Sequence, residues 1–332
     1  MNILITGHRG YIGPHLVELL KSDGHHVTGV DIGYFDTCAW EPLPQPDVDL
    51  TRDFRSLTER ELEGYDCVCH LAAISNDPMG DLDEGLTYDT NRAGTISLAK
   101  RAKAAGVPRF LFSGSCSVYG QGESLDLDEN APFNPVSAYA VSKVDSEAGL
   151  AQLADRYFSP VYLRNATAYG HSPCLRIDLV ANNLLACALA RGDIRIMSDG
   201  TPWRPLIHCR DIARAFMAFA SAPREIIHNQ AVNIGGNPEN YQVRDVGDIV
   251  QELVPSAKIV YTGEVGADPR NYRVKFDKLA RLLPEFKLRY NLRTGMAELK
   301  ERYLSHGFSL AGFNGDQFVR LRTLKKVLAA AG

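Results

Sequence analysis

The sequence predicts an α/β fold: a doubly wound parallel sheet with a smaller, interwoven α/β unit. Three observations lead there. Short β-rich runs alternate with helical stretches through the first half, the pattern of parallel strands joined by crossover helices. A glycine-rich string, Gly7 to Gly13, falls at the first strand-to-helix junction. No repeat, low-complexity tract or linker sets off the less regular second half, so the second unit is woven into the first rather than strung behind it. The boundaries expected are 1–170 with about 205–236 for the larger unit, and 171–204 with 237–332 for the smaller one.

Residues 3–6 read as a strand, followed by a helix over 11–22 with Pro14 in its first turn, where a missing N–H costs little. Strands follow at 26–31 and 67–72. A long helix is expected over 83–105, ending at Gly106, then a strand over 109–113, a helix over 137–157 and a strand over 160–164. In the second half, helices are expected over 178–191, 211–220, 243–253, 277–283, 292–304 and 316–330, with a strand at 231–234 before Gly235 and Gly236.

Composition bounds the function. Of 332 residues, 45% are hydrophobic and 23% charged, an ordinary globular balance. Lys plus Arg (36) against Asp plus Glu (40) gives a net charge of −4, so no basic excess points to nucleic acid or to an anionic membrane. Any bound anion must be held by a few placed groups. No stretch reaches the roughly 18 consecutive apolar residues of a membrane span. Residues 1–6 run straight into the glycines without a charged segment or a cleavage site, which does not read as a signal peptide. The seven cysteines form no Cys-x-x-Cys, so no zinc site or disulfide framework is implied and no metal is expected. Cys67 and Cys69 alternate within an apolar run and read as same-face strand side chains. Reduced thiols fit a cytoplasmic protein.

The strongest local signal is Thr6-Gly7-His8-Arg9-Gly10-Tyr11-Ile12-Gly13, which follows a strand and opens a helix. A phosphate needs backbone N–H donors at close range. Glycine removes the side chain that would block the approach, and the helix N-terminus adds partial positive charge. Asp31 ends the next strand, 18 residues after Gly13, where a carboxylate accepts both ribose hydroxyls and repels a 2′-phosphate. This is the pattern of a Rossmann-type dinucleotide site and predicts NAD. Arg9 keeps NADP open, because a loop arginine there reaches a 2′-phosphate. His70-Leu71-Ala72-Ala73 ends a strand in small residues, which lets a cofactor lie across the strand ends.

Tyr139-Ala140-Val141-Ser142-Lys143 puts a phenol and an ammonium four residues apart on one helix face. A free tyrosine titrates near ~10, and a neighbouring ammonium favours the phenolate, so the pair suits acid–base work on a hydroxyl. Upstream, Ser113, Ser115 and Ser117 follow a strand. One of these hydroxyls is placed to orient a substrate oxygen, and at least one serves only turn chemistry.

Taken in this order and spacing, Gly7-x-x-Gly10-x-x-Gly13, His-Leu-Ala-Ala at 70–73, Ser115-x-x-Val-Tyr-Gly and Tyr139-x-x-x-Lys143 resemble the extended short-chain dehydrogenase/reductase family. That family includes UDP-galactose 4-epimerase, nucleotide-sugar 4,6-dehydratases and GDP-fucose synthase. The similarity runs over nearly the whole chain. It implies Ser115, Tyr139 and Lys143 as the catalytic trio. It puts Gly7, Arg9, Gly10, Tyr11, Ile12, Gly13, Asp31, Leu71, Ala72, Ala73 and Ser113 around the cofactor, with Tyr139 and Lys143. Asn91 matches the family asparagine beneath the cofactor strand, and Asp49-Leu50 the pair that flanks the adenine. Arg204, in Arg-Pro-Leu-Ile-His-Cys-Arg-Asp211, and Arg270 fall where the family places two arginines on the substrate diphosphate. The planar guanidinium suits that role. Asn183 matches an asparagine that touches substrate. Ser75, just after the cofactor strand, and Thr167 are expected in the substrate pocket. The family's habit also implies a homodimer through the helices expected at 83–105 and 137–157.

The departures narrow the activity. Related 4,6-dehydratases carry Asp-Glu directly after the catalytic Ser or Thr, whereas this chain has Cys116 and Ser117, and Cys116 reads as a small buried filler. Thr167 stands where relatives often carry asparagine. The function expected is NAD-dependent epimerisation of a nucleotide-diphosphate sugar, with the hydride returned to the opposite face of a transient keto-sugar. The alternatives are a 4-keto-sugar nucleotide reductase using NAD(P)H, as Gly-His-Arg-Gly in the first loop suggests, a dehydratase, or a dinucleotide-sensing protein without catalysis.

Overall fold

The computed structural model describes residues 1–120, 126–263 and 270–331. Its strands in chain order are β1 (Asn2–Thr6), β2 (His26–Asp31), β3 (Val48–Thr51), β4 (Cys67–His70), β5 (Arg109–Ser115), β6 (Ser159–Asn165), β7 (Thr167–Tyr169), β8 (Asp193–Ile196), β9 (Trp203–His208), β10 (Gln230–Ile234), β11 (Asn240–Gln242) and β12 (Lys258–Tyr261). Seven of them form a parallel sheet in the order β10-β6-β5-β4-β1-β2-β3. The chain winds outward from β1 through β2 to β3, then restarts at β4 on the other side of β1. The strand order therefore reverses between β1 and β4, where open sheets of this kind bind ligands beyond their C-terminal ends.

Residue alternation explains the near-continuous apolar strands. Ile3, Ile5, Cys67, Cys69, Leu111 and Val161 pack on one face against the helices Gly13–Ser22 and Cys209–Ser221. Leu4, Val68, Phe110 and Phe112 pack on the other with Leu98 and Leu150, from the helices Thr95–Ala104 and Ala138–Ala151. Burial on both faces removes any polar alternation. Cys67 and Cys69 do share a face, and all seven cysteines are buried free thiols.

The second unit is built on the sheets β11-β9-β7 and β12-β8. Its core holds Leu184, Ile194, Val246, Leu299 and Tyr303. It is interwoven as expected: β7 leaves directly from β6, and β10 returns to the large sheet between β9 and β11.

Two expected helices differ, and the one expected over 316–330 begins only at Arg320. Residues 83–105 form Glu84–Thr87, a wider-turned Tyr88–Gly94 and Thr95–Ala104. The wider segment carries Asn91, whose amide leaves the helix to bond another loop. The expected helix 137–157 spans Ala138–Ala151, because Asp155 accepts the amides of Tyr157 and Phe158 and folds that stretch into a turn. Among the described residues, no helix is long and apolar enough to cross a membrane, and no cluster of His, Cys, Asp and Glu is placed to hold a metal.

Candidate active site

Thr6 and His70 are register partners at the ends of β1 and β4, and the Thr6 hydroxyl lies 2.6 Å from His70 Nδ1. The loops that follow are thus held side by side. Gly7 has φ +78°, and a Cβ there would stand 2.7 Å from the Ala72 nitrogen; a Cβ on Gly13 would stand 2.4 Å from the His8 oxygen. Both positions exclude any side chain. The helix Gly13–Ser22 starts with no side-chain cap at Ile12, so its first amides remain open to the cleft. Gly7, Gly10, Tyr11, Ile12 and Gly13 all line that cleft, as do Leu71, Ala72 and Ala73. A cradle with bare backbone and uncommitted helix N–H groups fits the phosphates of a dinucleotide.

Asp31 lines the cleft at the end of β2, its carboxylate held by the N–H groups of Arg9 (3.1 Å) and Gly33 (2.9 Å). Arg9 does not line it. Its guanidinium is spread between Asp36 (2.8 Å), Asp49 (2.9 Å) and the Thr51 hydroxyl (2.6 Å), and these carboxylates raise its pKa against the opposing effect of burial. Asp49 also lies 3.1 Å from His8 Nε2. Asp49 and Leu50 sit within β3, and neither lines the cleft. The residues that do are Asp53, Phe54 and Arg55, just past the strand end. The physical reason is the sheet itself: ligands lie beyond the carboxyl ends of strands, not beside their middles.

Beyond β4 the loop is braced from outside. Asn91 accepts from the Ile74 N–H (2.8 Å) and donates to the Ile74 oxygen (3.0 Å) and to Ser142 (3.2 Å). It shapes the cofactor strand's exit and does not line the cleft. Ser75 lines the cleft and accepts from Arg176 (3.0 Å).

Ser137 caps the helix Ala138–Ala151 by accepting from the Ala140 N–H (3.1 Å) and so aims its first turns. Tyr139 and Lys143 face the cleft from that helix, and Ser113 and Ser115 from β5. Burial, with Asp77, pushes the Tyr139 pKa up to about 12, opposed by the neighbouring Ser115 hydroxyl and by Arg176 and Arg270. Lys143 is 3% exposed. Its Nζ donates to the Ser113 oxygen (2.8 Å) and lies 4.7 Å from the Phe112 ring centre and 5.6 Å from that of Tyr139. Burial lowers its pKa to about 7, with Glu147 one turn along opposing the shift. Asn165, opposite Ser115 at the end of β6, donates to Ser113 Oγ (3.1 Å) and lines the cleft too. Ser117 is buried and does not line the cleft, the turn serine of the three. Cys116 also points away. Its thiol donates to the Arg164 oxygen (3.2 Å), and burial pushes its pKa far up.

On the substrate side Thr167 and Arg270 line the cleft. Arg270 pairs with Asp77 at 2.9 Å. Arg204 and Asn183 do not line it. Arg204 donates to the main-chain oxygens of Trp203 and Arg270 and so supports Arg270 from behind. Asn183 donates to the Ile177 oxygen (2.9 Å) at the start of its own helix. Besides Arg55, two further arginines not expected from the sequence line the cleft: Arg176, 5% exposed and paired with Asp178 (2.5 Å), and Arg320. Arg176 had one available signal, a lone cation in the apolar run Leu175-Arg176-Ile177 two residues before a carboxylate.

A dinucleotide cradle that shares one cleft with a tyrosine–lysine pair defines a nucleotide-dependent oxidoreductase-type enzyme. Residues 3–235 match the NAD dependent epimerase/dehydratase family, and the chain belongs to it. It is 29% identical over 330 residues to the uncharacterized UDP-glucose epimerase YtcB of Bacillus subtilis (strain 168), covering 91% of this chain and 99% of that one. Among solved structures, it is similar to TunA, an NAD dependent NDP-hexosamine 5,6-dehydratase of tunicamycin biosynthesis, with TM-score 0.82, 27% identity and coverage of 92% of this chain and 98% of that one. MoeE5 in complex with UDP-glucuronic acid and NAD gives TM-score 0.80 and 29% identity, over 92% of this chain and 99% of that one.

Proposed function

We propose that the chain epimerises a nucleotide-diphosphate sugar, with NAD retained through the cycle and a UDP-sugar as the first substrate to test. One observation carries the choice of epimerase within the family. Asp31 and Asp53 are the only carboxylates among the described residues lining the cleft, and both lie on the β2–β3 side, strands away from Ser115. No imidazole or thiol lines it among those residues either. Elimination of water needs a second acid–base group beside the tyrosine; the nearest carboxylate, Asp77, is tied to Arg270 and Ser137, and the two residues after Ser115 are turned into the core. Epimerisation through a ketone needs only the removal and return of one hydroxyl proton.

NAD, when bound, supplies the acceptor and donor of the hydride. Tyr139 takes the proton of the sugar hydroxyl, at C4 in this reading, and gives it back. Ser115 holds that oxygen against the phenol. Lys143, fixed by the Ser113 carbonyl, keeps positive charge near the ring and favours the phenolate. Arg270 and Arg176 hold the sugar nucleotide's diphosphate while the keto-sugar presents its other face. Asp31 selects NAD, because Arg9, a loop cation that would welcome a 2′-phosphate, is already shared by Asp36 and Asp49, and Arg55 is held by Asp53 and Asp89.

The reading is tested with substrate deuterated at C4 and with the small molecules released on denaturation. Stoichiometric NAD and retention of the label in both epimers are the expected results. Label lost to solvent would contradict internal hydride return, and net oxidation of added NADH would replace the epimerase with the reductase.

A further inference from the structure

We propose that Arg320, at the start of the C-terminal helix Arg320–Ala331, is the counter-cation of the cofactor's diphosphate, and that this helix straps the dinucleotide into its cleft. The inference rests on the cleft being the NAD site and adds to it a residue more than 300 positions from the glycine loop.

Arg320 is 4% exposed and lines the cleft. A terminal guanidinium nitrogen lies 4.0 Å from where a Cβ on Gly10 would stand. Its partners are few. One nitrogen donates to the Cys174 oxygen (3.2 Å), the plane lies 5.0 Å from the Phe35 ring centre, and Nε has no hydrogen-bond partner. Arg320 forms no ion pair among the described residues. Of its charged neighbours, Arg176 has the same sign, and Asp178, which attracts Arg320, is already hydrogen-bonded in an ion pair with Arg176. A buried, uncompensated guanidinium is costly, and the usual resolution is an anion at the site. Burial and Arg176 together lower its pKa, the direction expected of a cation lacking its counter-ion.

Both the dinucleotide and the sugar nucleotide carry a diphosphate. Position assigns Arg320 to the first: it stands over Gly10, whose loop presents the amides of the cradle, while Arg176 and Arg270 stand toward Ser75 and Tyr139. The strap has anchors of its own. Leu324, one turn on, lines the same cleft; Gln317 donates to the Ala39 oxygen (3.1 Å); the Ile177 N–H donates to the Phe318 oxygen (3.2 Å). A dinucleotide leaving between the glycine loop and residues 32–40 has to move past this helix.

The test uses the full-length protein with Arg320→Leu and Arg320→Lys. NAD content after purification and the NAD release rate are measured, with affinity for UDP alone by calorimetry and the melting temperature of the NAD-stripped protein. Arg320→Leu is expected to lose NAD at least tenfold faster, to bind UDP within twofold of wild type, and to melt no lower than the stripped wild type, since a buried unpaired charge has gone. Arg320→Lys should recover part of the retention. Unchanged NAD release in Arg320→Leu overturns the proposal, as does a loss of UDP affinity with NAD retained, which would move the arginine to the sugar nucleotide. Gly10→Val serves as the separate control on the cleft: NAD lost in Gly10→Val but kept in Arg320→Leu sinks this inference alone. A wild type that binds no NAD sinks the cofactor reading, and this inference with it.

Discussion

Lys143 Nζ lies 2.8 Å from the main-chain oxygen of Ser113 and over the ring of Phe112, with no ion pair to it among the described residues. An ammonium so placed is held by a dipole and two aromatic faces, while burial lowers its pKa to about 7. Below that pH both the folded and unfolded chains carry the proton, and the fold bears the full cost of burying it. Between about 7 and the unfolded value near 10.4, the unfolded chain binds a proton that the folded chain lacks, so stability rises with pH. The slope from this one group is at most about 1.4 kcal/mol per pH unit. Urea midpoints of the NAD-stripped protein at mildly acidic, neutral and alkaline pH should show the rise in the wild type and its absence in Lys143→Met. Parallel curves would mean that the ammonium is not desolvated.

Tyr139 presents the complementary case. Its pKa of about 12 is too high for a base at neutral pH, so the phenol depends on added positive charge. Phenolate absorbance of this tyrosine, obtained by difference from Tyr139→Phe, should move to lower pH when oxidised NAD is added. Tyr139→Phe should lower kcat by ~10²–10⁴-fold, the range for loss of a general acid–base group, with NAD content unchanged. Activity within a factor of a few of wild type would remove Tyr139 from the proton transfer.

Much of this site was legible because its first parts are local. Gly7 to Gly13 follow one strand and open one helix, Tyr139 and Lys143 share one helix face, and Asp31 ends the strand that neighbours β1. The parts that were not legible depend on where strands end or on distant contacts. β3 is an edge strand with Val48 and Asp49 exposed, so no apolar alternation marks it, and the cleft's lining shifts from Asp49-Leu50 to Asp53-Phe54-Arg55. Arg204 and Arg270 look equivalent in the sequence, yet Arg204 donates to the backbone of Arg270 and only Arg270 reaches the cleft. The short strands β8 and β12 pair across more than sixty residues and carry no motif of their own.

In the proposed reading, the Arg9–Asp49 and Arg9–Asp36 pairs govern the choice of cofactor. With its guanidinium already met by two carboxylates and Asp31 at the ribose position, the pocket is set against a 2′-phosphate. Asp31→Ser should weaken NADH, and Asp31→Ser combined with Asp36→Ala and Asp49→Ala should free Arg9 from both carboxylates and improve NADPH. A change in the NADH to NADPH affinity ratio of roughly tenfold to a hundredfold corresponds to about 1.4–2.8 kcal/mol. Titration of both reduced cofactors by their fluorescence measures it. An unaltered ratio would show that these acids do not govern the choice.

Beneath the helix that carries Tyr139 and Lys143, Arg164 and Glu147 form a buried pair, 2.7 Å apart with both side chains under 8% exposed. Arg164 also donates to the Tyr119 hydroxyl (3.0 Å) and the Glu129 oxygen (3.1 Å), so β6, the Ser115 turn and the Tyr139 helix meet at one guanidinium. Glu147 lies one turn past Lys143 on that helix. Removing the carboxylate charge leaves the guanidinium buried without a counter-ion, a change that costs about 3–5 kcal/mol where such pairs are broken. Glu147→Gln should therefore lower the urea midpoint sharply. Because Glu147 holds the Lys143 pKa up, the loss should also let that ammonium deprotonate at lower pH and move the pH profile of kcat. Glu147→Gln with Arg164→Met removes both charges and should recover a large part of the stability, while the shifted pH profile persists. A double variant no more stable than Glu147→Gln alone would mean that the pair's hydrogen bonds, rather than its charge balance, hold this end of the helix.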